Sequence, residues 1–121
     1  MGPRVVLAED HPEMMTALAR LIEPASEIVG RVTDGTEVLD CVARLRPDVL
    51  VVDVNMPGLD GIEICRRTVR AFPGVGVIVL TAAADAALEQ DARAAGAAAF
   101  IAKLFAAEQL PAAIAGMRRQ S

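Results

Sequence analysis

The sequence predicts an α/β fold in which helices cover both faces of one parallel sheet. Five short apolar runs rich in β-branched residues recur along the chain, and the segments between them repeat apolar residues at helical spacing. Strands that alternate with helices form a parallel sheet, because parallel neighbours need a crossover connection. The predicted strands are residues 4–8, 27–32, 48–52, 75–80 and 98–101.

The composition of the strands predicts their positions in the sheet. The third and fourth runs are apolar throughout, as expected of central strands that are covered on both sides. The second run places Glu27 and Arg31 among apolar residues, which predicts a strand at the edge of the sheet.

Residues between the strands predict where the helices begin and end. Pro12 suits the first turn of the first helix, and Asp60 suits the N-cap of the third. Gly74 and Gly96 stand where helices should stop. The last helix is expected to end at the basic residues 118–119, which suit a helix C-terminus.

Length and charge limit the classes of function. The chain has 121 residues, 54% of them apolar, which suits one domain spanning residues 1–121. A formal charge of −4 argues against direct binding of nucleic acid by this domain. No run approaches the roughly 20 apolar residues that cross a bilayer, so we expect no membrane association and a cytoplasmic location. Cys41 and Cys65 lack the spacing of a zinc site and are expected to be free, buried thiols.

Polar residues with complementary chemistry follow four of the predicted strands. Glu9 and Asp10 follow the first, Asp53 the third, Thr81 the fourth and Lys103 the fifth. Ligands bind at the carboxyl ends of the strands in an open parallel sheet. We therefore expect three carboxylates, a hydroxyl and an ammonium group to converge on one rim.

A divalent cation is the usual means of holding such carboxylates together. Mg²⁺ prefers oxygen ligands and is commonly held by one or two carboxylates plus phosphate oxygens. The expected direct ligands are Asp10, Asp53 and the backbone carbonyl of Asn55, while Glu9 is expected to act through water. The Asp53 carboxylate can also act as a nucleophile and form an aspartyl phosphate.

Lys103 is the only lysine among the 12 basic residues. Its compact charge on a flexible stem suits a single phosphoryl oxygen, whereas arginine presents a planar fork. Lys103 and Thr81 are therefore expected to neutralise phosphoryl oxygens in the transition state.

Taken together, these residues resemble the receiver domain of response regulators. The similarity covers essentially the whole chain and implies a flavodoxin-like (βα)5 fold with strand order 2-1-3-4-5. It also implies that Asp53 receives a phosphoryl group, with Mg²⁺, from a phosphohistidine on a sensor histidine kinase or slowly from acetyl phosphate. The matching residues lie at four strand ends: Glu9-Asp10, Asp53 to Gly61, Thr81-Ala82 and Lys103.

The resemblance further implies a conformational switch. Thr81 would move toward the phosphoryl oxygens, and Phe100 would rotate inward behind it. The surface of residues 85–117 would then bind an output domain or partner protein, or form a homodimer. The segment Glu9-Asp10-His11-Pro12 is similar to receivers linked to helix-turn-helix DNA-binding domains, which implies control of transcription through an output domain. Residues 1–121 contain no such domain, so the chain is expected to be an excised or a stand-alone receiver.

One residue departs from the family pattern. The family usually has proline after the lysine, in a cis peptide, whereas Leu104 follows Lys103 here. A cis bond before a non-proline residue costs about 3 kcal/mol, so we expect a trans bond and a changed loop. The change bears on how Lys103 is aimed and therefore on the rate of phosphorylation.

Two other functions fit part of the pattern. A Mg²⁺-dependent phosphatase also forms an aspartyl phosphate, but it needs a second Asp two residues on, where this chain has Asn55. The main alternative is a phosphorylation-independent receiver that acts as a protein-interaction module, because Leu104 leaves its pocket poorly reactive. His11, the only histidine, is assigned no role.

Overall fold

The computed structural model describes residues 2–83 and 85–117, and within them five strands alternate with five α-helices. Short 3-10 turns at Gly35–Glu37 and Lys103–Phe105 precede the second and fifth helices. The strands are β1 (Arg4–Ala8), β2 (Glu27–Val32), β3 (Val49–Asp53), β4 (Gly76–Thr81) and β5 (Ala99–Ala102). The helices are α1 (Pro12–Ile22), α2 (Val38–Leu45), α3 (Gly61–Ala71), α4 (Ala86–Ala94) and α5 (Ala106–Gly116).

All neighbouring strands pair in parallel, and their order is β2-β1-β3-β4-β5. This confirms the predicted α/β fold and its strand order. Every residue of β3 is buried, as is every residue of β4 after its first glycine, so both are central strands as predicted. The prediction of an edge position for β2 is also confirmed.

Helices cover the two faces of the sheet and create two apolar layers. Alternate strand residues point to opposite faces, so Val5 and Leu7 lie in one layer while Val6 and Ala8 lie in the other. The first layer is closed by α1 and α5, and the second by α2, α3 and α4. This division follows from the crossover helices that parallel strands require.

The helix boundaries agree with the predicted signals. Pro12 occupies the first turn of α1, and the Asp60 carboxylate accepts the Glu63 backbone N–H at 3.0 Å at the start of α3. Gly74 lies in the turn after α3, and Gly96 follows α4 with a φ of +101°. The predicted basic end at residues 118–119 lies outside the described residues.

The thiols and the helix lengths can also be compared with the sequence. Both cysteines are buried and free, as predicted. Within residues 2–83 and 85–117, no helix has the length and apolar character needed to cross a lipid bilayer.

Candidate functional site

The register of the sheet brings the polar strand ends together. Ala8 of β1 pairs with Val52 of β3, so the residues that follow them, Glu9 and Asp53, lie at the same level of the rim. Asp53 in turn pairs with Leu80, the residue before Thr81. The predicted convergence of acidic and hydroxyl groups at the carboxyl edge therefore follows from the pairing of β1, β3 and β4.

Lys103 joins two of the carboxylates. Its Nζ atom lies 2.8 Å from Glu9 Oε1 and 3.1 Å from Asp53 Oδ2. Glu9 is fully buried, and Asp53 is only 2% exposed. A buried carboxylate is costly unless it is paired, and one ammonium group provides that pairing for both residues.

The start of α3 holds the chain around Asp53. The Gly61 N–H donates to the Val54 carbonyl at 2.9 Å, and the Asn55 N–H donates to Asp53 Oδ1 at 3.3 Å. A side chain at Gly61 would overlap the backbone carbonyl of Asp53, so glycine allows α3 to begin directly against the strand end. The start of α3 thus packs against the backbone of Asp53, and the Asn55 N–H holds its carboxylate.

Asp53 and Lys103 each shift the pKa of the other. Burial raises the pKa of Asp53, while the hydrogen bond from Lys103 opposes that shift. For Lys103, burial lowers the pKa, but hydrogen bonds to Glu9 and Asp53 outweigh burial, and the net pKa is raised. Lys103 is therefore a permanent cation at neutral pH, directed at the strand end of β3.

Asp10 and His11 complete the acidic side of the rim. His11 Nδ1 lies 3.3 Å from Glu9 Oε2 and 3.3 Å from Asp10 Oδ1. The His11 backbone N–H also donates to Glu9 Oε2 at 3.1 Å. Asp10 Oδ1 is buried and has no hydrogen-bond partner among the described residues. Sequence reasoning assigned His11 no role, although its position directly after Glu9-Asp10 at a strand end was an available signal.

The donor set fits a hard divalent cation such as Mg²⁺. The carboxylates of Glu9 and Asp53 share one ammonium group, and the neighbouring Asp10 adds a third negative charge. One buried Asp10 oxygen has no hydrogen-bond partner among the described residues. Carboxylate oxygens are the ligands that Mg²⁺ prefers. Asn55 is an exposed residue in the loop after β3, and its backbone N–H donates to Asp53 Oδ1 of this set.

Thr81 and Phe100 lie on neighbouring strands. The Thr81 hydroxyl donates to the Ala83 carbonyl and accepts the Ala83 N–H, both at 3.2 Å, so it is held within its own loop. Phe100 pairs with Val79 on β4 and is half-buried against the layer under α2, α3 and α4. Val79 and Thr81 alternate onto the same face of the sheet, which places Thr81 and Phe100 on one side.

The peptide bond before Leu104 is trans, as expected. Residues 2–83 and 85–117 contain no cis peptide bond, and Lys103–Phe105 form a 3-10 turn that continues into α5. The Leu104 side chain is 83% exposed and Phe105 is 45% exposed. Lys103 nevertheless reaches Asp53, so this loop aims the ammonium group without the usual proline.

Residues 5–115 match the family model described as the response regulator receiver domain. The chain belongs to this family. Response regulator MprA of Mycobacterium leprae is 36% identical to this receiver over 118 residues, which are 98% of this chain and 52% of MprA. The receiver thus spans about half the length of this relative.

Solved structures confirm the receiver fold. The receiver domain of response regulator NarL from Mycobacterium tuberculosis superposes with a TM-score of 0.87 at 28% identity, covering 93% of each chain. RcsB from Salmonella enterica serovar Typhimurium, solved bound to promoter rprA, gives a TM-score of 0.85 at 29% identity, covering 95% of this chain and 67% of RcsB. The predicted resemblance to receivers of DNA-binding response regulators is confirmed by RcsB, which was solved with promoter DNA. Membership of a signalling family disfavours the phosphatase alternative.

Proposed function

We propose that this receiver accepts a phosphoryl group on Asp53 from the phosphohistidine of a sensor histidine kinase. The observation that carries the proposal is the Lys103 ammonium group, which contacts the buried carboxylates of Glu9 and Asp53 at 2.8 and 3.1 Å. A lysine at that distance from the acceptor is suited to binding a phosphoryl oxygen once the acyl phosphate forms. Beyond this transfer and slow loss of the phosphoryl group, we propose no enzymatic activity.

The transfer itself is a displacement at phosphorus. An oxygen of the Asp53 carboxylate forms the new P–O bond while the P–N bond to the donor imidazole breaks, and the imidazole leaves with the electron pair. Lys103 changes partners in this step, from the Asp53 carboxylate to a phosphoryl oxygen. The main task of the site is to stabilise the negative charge on those oxygens, since phosphoryl transfer depends on positioning and electrostatic stabilisation.

Asp10, Asp53 and the backbone carbonyl of Asn55 would hold Mg²⁺, with Glu9 acting through water. When bound, the ion supplies positive charge that neutralises the phosphoryl oxygens. The buried Asp10 Oδ1, which lacks a hydrogen bond among the described residues, supports this assignment because an ion would satisfy it.

The response to phosphorylation would begin at Thr81. Its hydroxyl must give up the two 3.2 Å hydrogen bonds with Ala83 before it can donate to a phosphoryl oxygen. Movement of the Ala83 loop would open space behind Thr81 for Phe100 to rotate inward. The surface of residues 85–117 would then change its affinity for an output domain, for a partner protein or for a second receiver in a homodimer.

The relatives support a proposal about the wider role. We propose that residues 1–121 form one receiver domain, that it works in the cytoplasm with its kinase, and that it controls transcription through an output domain. The net charge of −4 supports assigning DNA contact to that other domain.

Incubation with Mg²⁺ and acetyl phosphate, followed by intact-mass measurement, tests the acceptor. One phosphoryl adduct is expected on the wild type and none on Asp53→Asn. Lys103→Arg keeps the charge but not the compact geometry, so we expect slower adduct formation. An adduct of equal amount on Asp53→Asn would refute Asp53 as the acceptor.

The interaction-module alternative is favoured by one observation, the exposure of Leu104 and Phe105 next to the site. If neither acetyl phosphate nor a related kinase produces an adduct on the folded wild type, this alternative replaces the phosphoacceptor proposal.

A further inference from the structure

A turn that takes no direct part in the proposed transfer supports the loop after Asp53. The Gly35 N–H, in the turn between β2 and α2, donates to the Pro57 carbonyl at 2.8 Å. Gly35 is buried, and a side chain there would overlap the backbone carbonyl of Leu59. The backbones of the turn and the loop are therefore in direct contact, which only glycine allows.

The loop makes a second close contact through Gly58. Its φ of +92° is one that glycine adopts without strain. A Cβ atom at this position would lie 2.7 Å from Asp34 Oδ1 and 2.7 Å from Thr36 Cγ2. Asp34 Oδ1 is itself held by the Thr36 backbone N–H at 2.8 Å and by the Thr36 hydroxyl at 2.6 Å. Glycines on both sides thus let the turn of residues 34–36 (the support turn) pack closely against residues 57–59.

The supported loop carries Asn55, whose backbone carbonyl is a proposed Mg²⁺ ligand. Before this carbonyl, the Asn55 N–H donates to Asp53 Oδ1 at 3.3 Å. After it, Met56 is buried in the core, and the Pro57 carbonyl accepts the hydrogen bond from Gly35. The Asn55 carbonyl therefore lies between two points at which the backbone is held. We propose that the support turn positions the Asn55 carbonyl for Mg²⁺.

The physical reason is that a metal ion is sensitive to the placement of its ligands. Mg²⁺ demands near-ideal octahedral geometry, so a displaced carbonyl weakens its binding. A carbonyl that is already held also loses less conformational freedom when the ion binds. Within residues 2–83 and 85–117, no hydrogen bond joins the support turn to Asp53 or Lys103. The support turn should therefore act on metal affinity through the loop. The inference rests on the proposed function, because the ion belongs to the phosphoacceptor site.

Asn55 supplies the reporter, since it is the only asparagine in the chain. Protein labelled with ¹⁵N-asparagine gives one backbone amide signal, which magnesium chloride should shift in the wild type. Isothermal titration should show Mg²⁺ binding at least about tenfold weaker in Gly35→Ala, because the new methyl group pushes residues 57–59 away. The rate of adduct formation with acetyl phosphate should fall most at low Mg²⁺ and recover as Mg²⁺ approaches saturation.

A milder pair of variants and a control accompany Gly35→Ala. Thr36→Val removes the hydroxyl that holds Asp34 and should weaken Mg²⁺ binding by about threefold. Thr36→Ser keeps the hydroxyl and should keep the wild-type affinity. Gly30→Ala in β2 is the matched control, because its methyl group would meet the side chains of Leu45 and Cys41 instead of the loop. It should lower stability and leave Mg²⁺ affinity within about twofold of the wild type.

Equal Mg²⁺ affinity in the wild type and in folded Gly35→Ala would refute the role of the support turn. An equal loss of affinity in Gly35→Ala and Gly30→Ala would refute it as well, since general destabilisation would then explain both. If Gly35→Ala does not fold, the difference between Thr36→Val and Thr36→Ser decides. Absence of an adduct from acetyl phosphate would remove the phosphoacceptor function, while a difference in Mg²⁺ affinity between the variants would still support the turn. A wild type that does not bind Mg²⁺ would overturn both proposals.

Discussion

The elements that hold Asp53 are packed very differently from α4 and β5, the first two elements of the partner surface. All five residues of β3 are buried, and α3 buries four, including Ile64 and Cys65. By contrast, α4 buries only Ala92, and β5 buries only Ile101. The acceptor carboxylate is therefore held by well-buried elements, while α4 and β5 are held weakly. The other end of the partner surface is anchored by α5, which buries Ala106, Leu110 and Ile114.

The difference in burial between α3 and α4 comes from the size of their side chains. The buried contacts of α3 are made by branched and sulfur-containing side chains, whereas α4 contributes an alanine to the core. Loss of a small buried side chain forfeits little apolar area, so a shift of α4 costs less free energy than a shift of α3. A weakly held element beside a rigid site is what a two-state switch needs.

The largest effect should come from truncating one side chain in each region. Ile64→Ala in α3 removes a fully buried side chain and should lower the free energy of unfolding by about 2–5 kcal/mol. Leu88→Ala in α4 removes a half-buried one and should cost about 1 kcal/mol or less. Urea denaturation followed by far-UV circular dichroism measures both, since the chain has no Trp or Tyr for fluorescence. Equal losses would mean that the two regions are equally anchored.

The fold could be predicted from the sequence because its signals are local. Apolar runs of strand length and helical spacing fix the elements, and the unbroken apolarity of β3 and β4 fixes their central positions. The carboxylates and Lys103 could be predicted because topology alone carries strand ends to one rim. These inferences needed no knowledge of which side chains touch.

Gly61 is the point at which α3 meets the acceptor. Gly61→Ala should lower stability by about 2 kcal/mol, because the new methyl group meets the Asp53 backbone and forces strand and helix apart. Gly116→Ala at the end of α5 is the matched control, since nothing lies within 4 Å of its added methyl group. The control should be neutral or slightly stabilising because alanine favours helix. A neutral result for Gly61→Ala in thermal unfolding would contradict the close approach.

The pH dependence of stability should reveal the burial of the Cys65 thiol in α3. Burial raises the pKa of its thiol from 9.0 to about 11. The folded state therefore favours the neutral thiol, so its contribution to stability is complete below pH 9 and is lost as pH rises from 9 to about 11. The urea midpoint should fall over that window, and it should fall less in Cys65→Ala. An identical pH profile in the variant would show that the thiol titrates as it does in the unfolded chain.

What the sequence could not predict depends on side-chain contacts. The placement of one His11 nitrogen between two carboxylates depends on a ring rotamer, and no spacing rule encodes it. The reach of Lys103 is another case. The missing proline indicated a changed loop, and only coordinates show that a 3-10 turn with exposed Leu104 still directs the ammonium group to Asp53.

The smallest effect is expected at Leu104. Lys103 Nζ already lies 3.1 Å from Asp53 Oδ2. Leu104→Pro, which restores the family residue, should therefore change the position of the Lys103 ammonium group very little. The rate of adduct formation with acetyl phosphate should change by less than about twofold, because a small donor needs the aimed lysine and no protein surface. Phosphoryl transfer from a kinase should change more if the 83% exposed Leu104 side chain contacts that partner.

Mass spectrometry with both donors separates the two effects, and Ala107→Pro on the exposed first turn of α5 serves as a proline control. A large acceleration with acetyl phosphate would show instead that the trans loop holds Lys103 poorly, and that weak anchoring extends from α4 and β5 into the acceptor site itself.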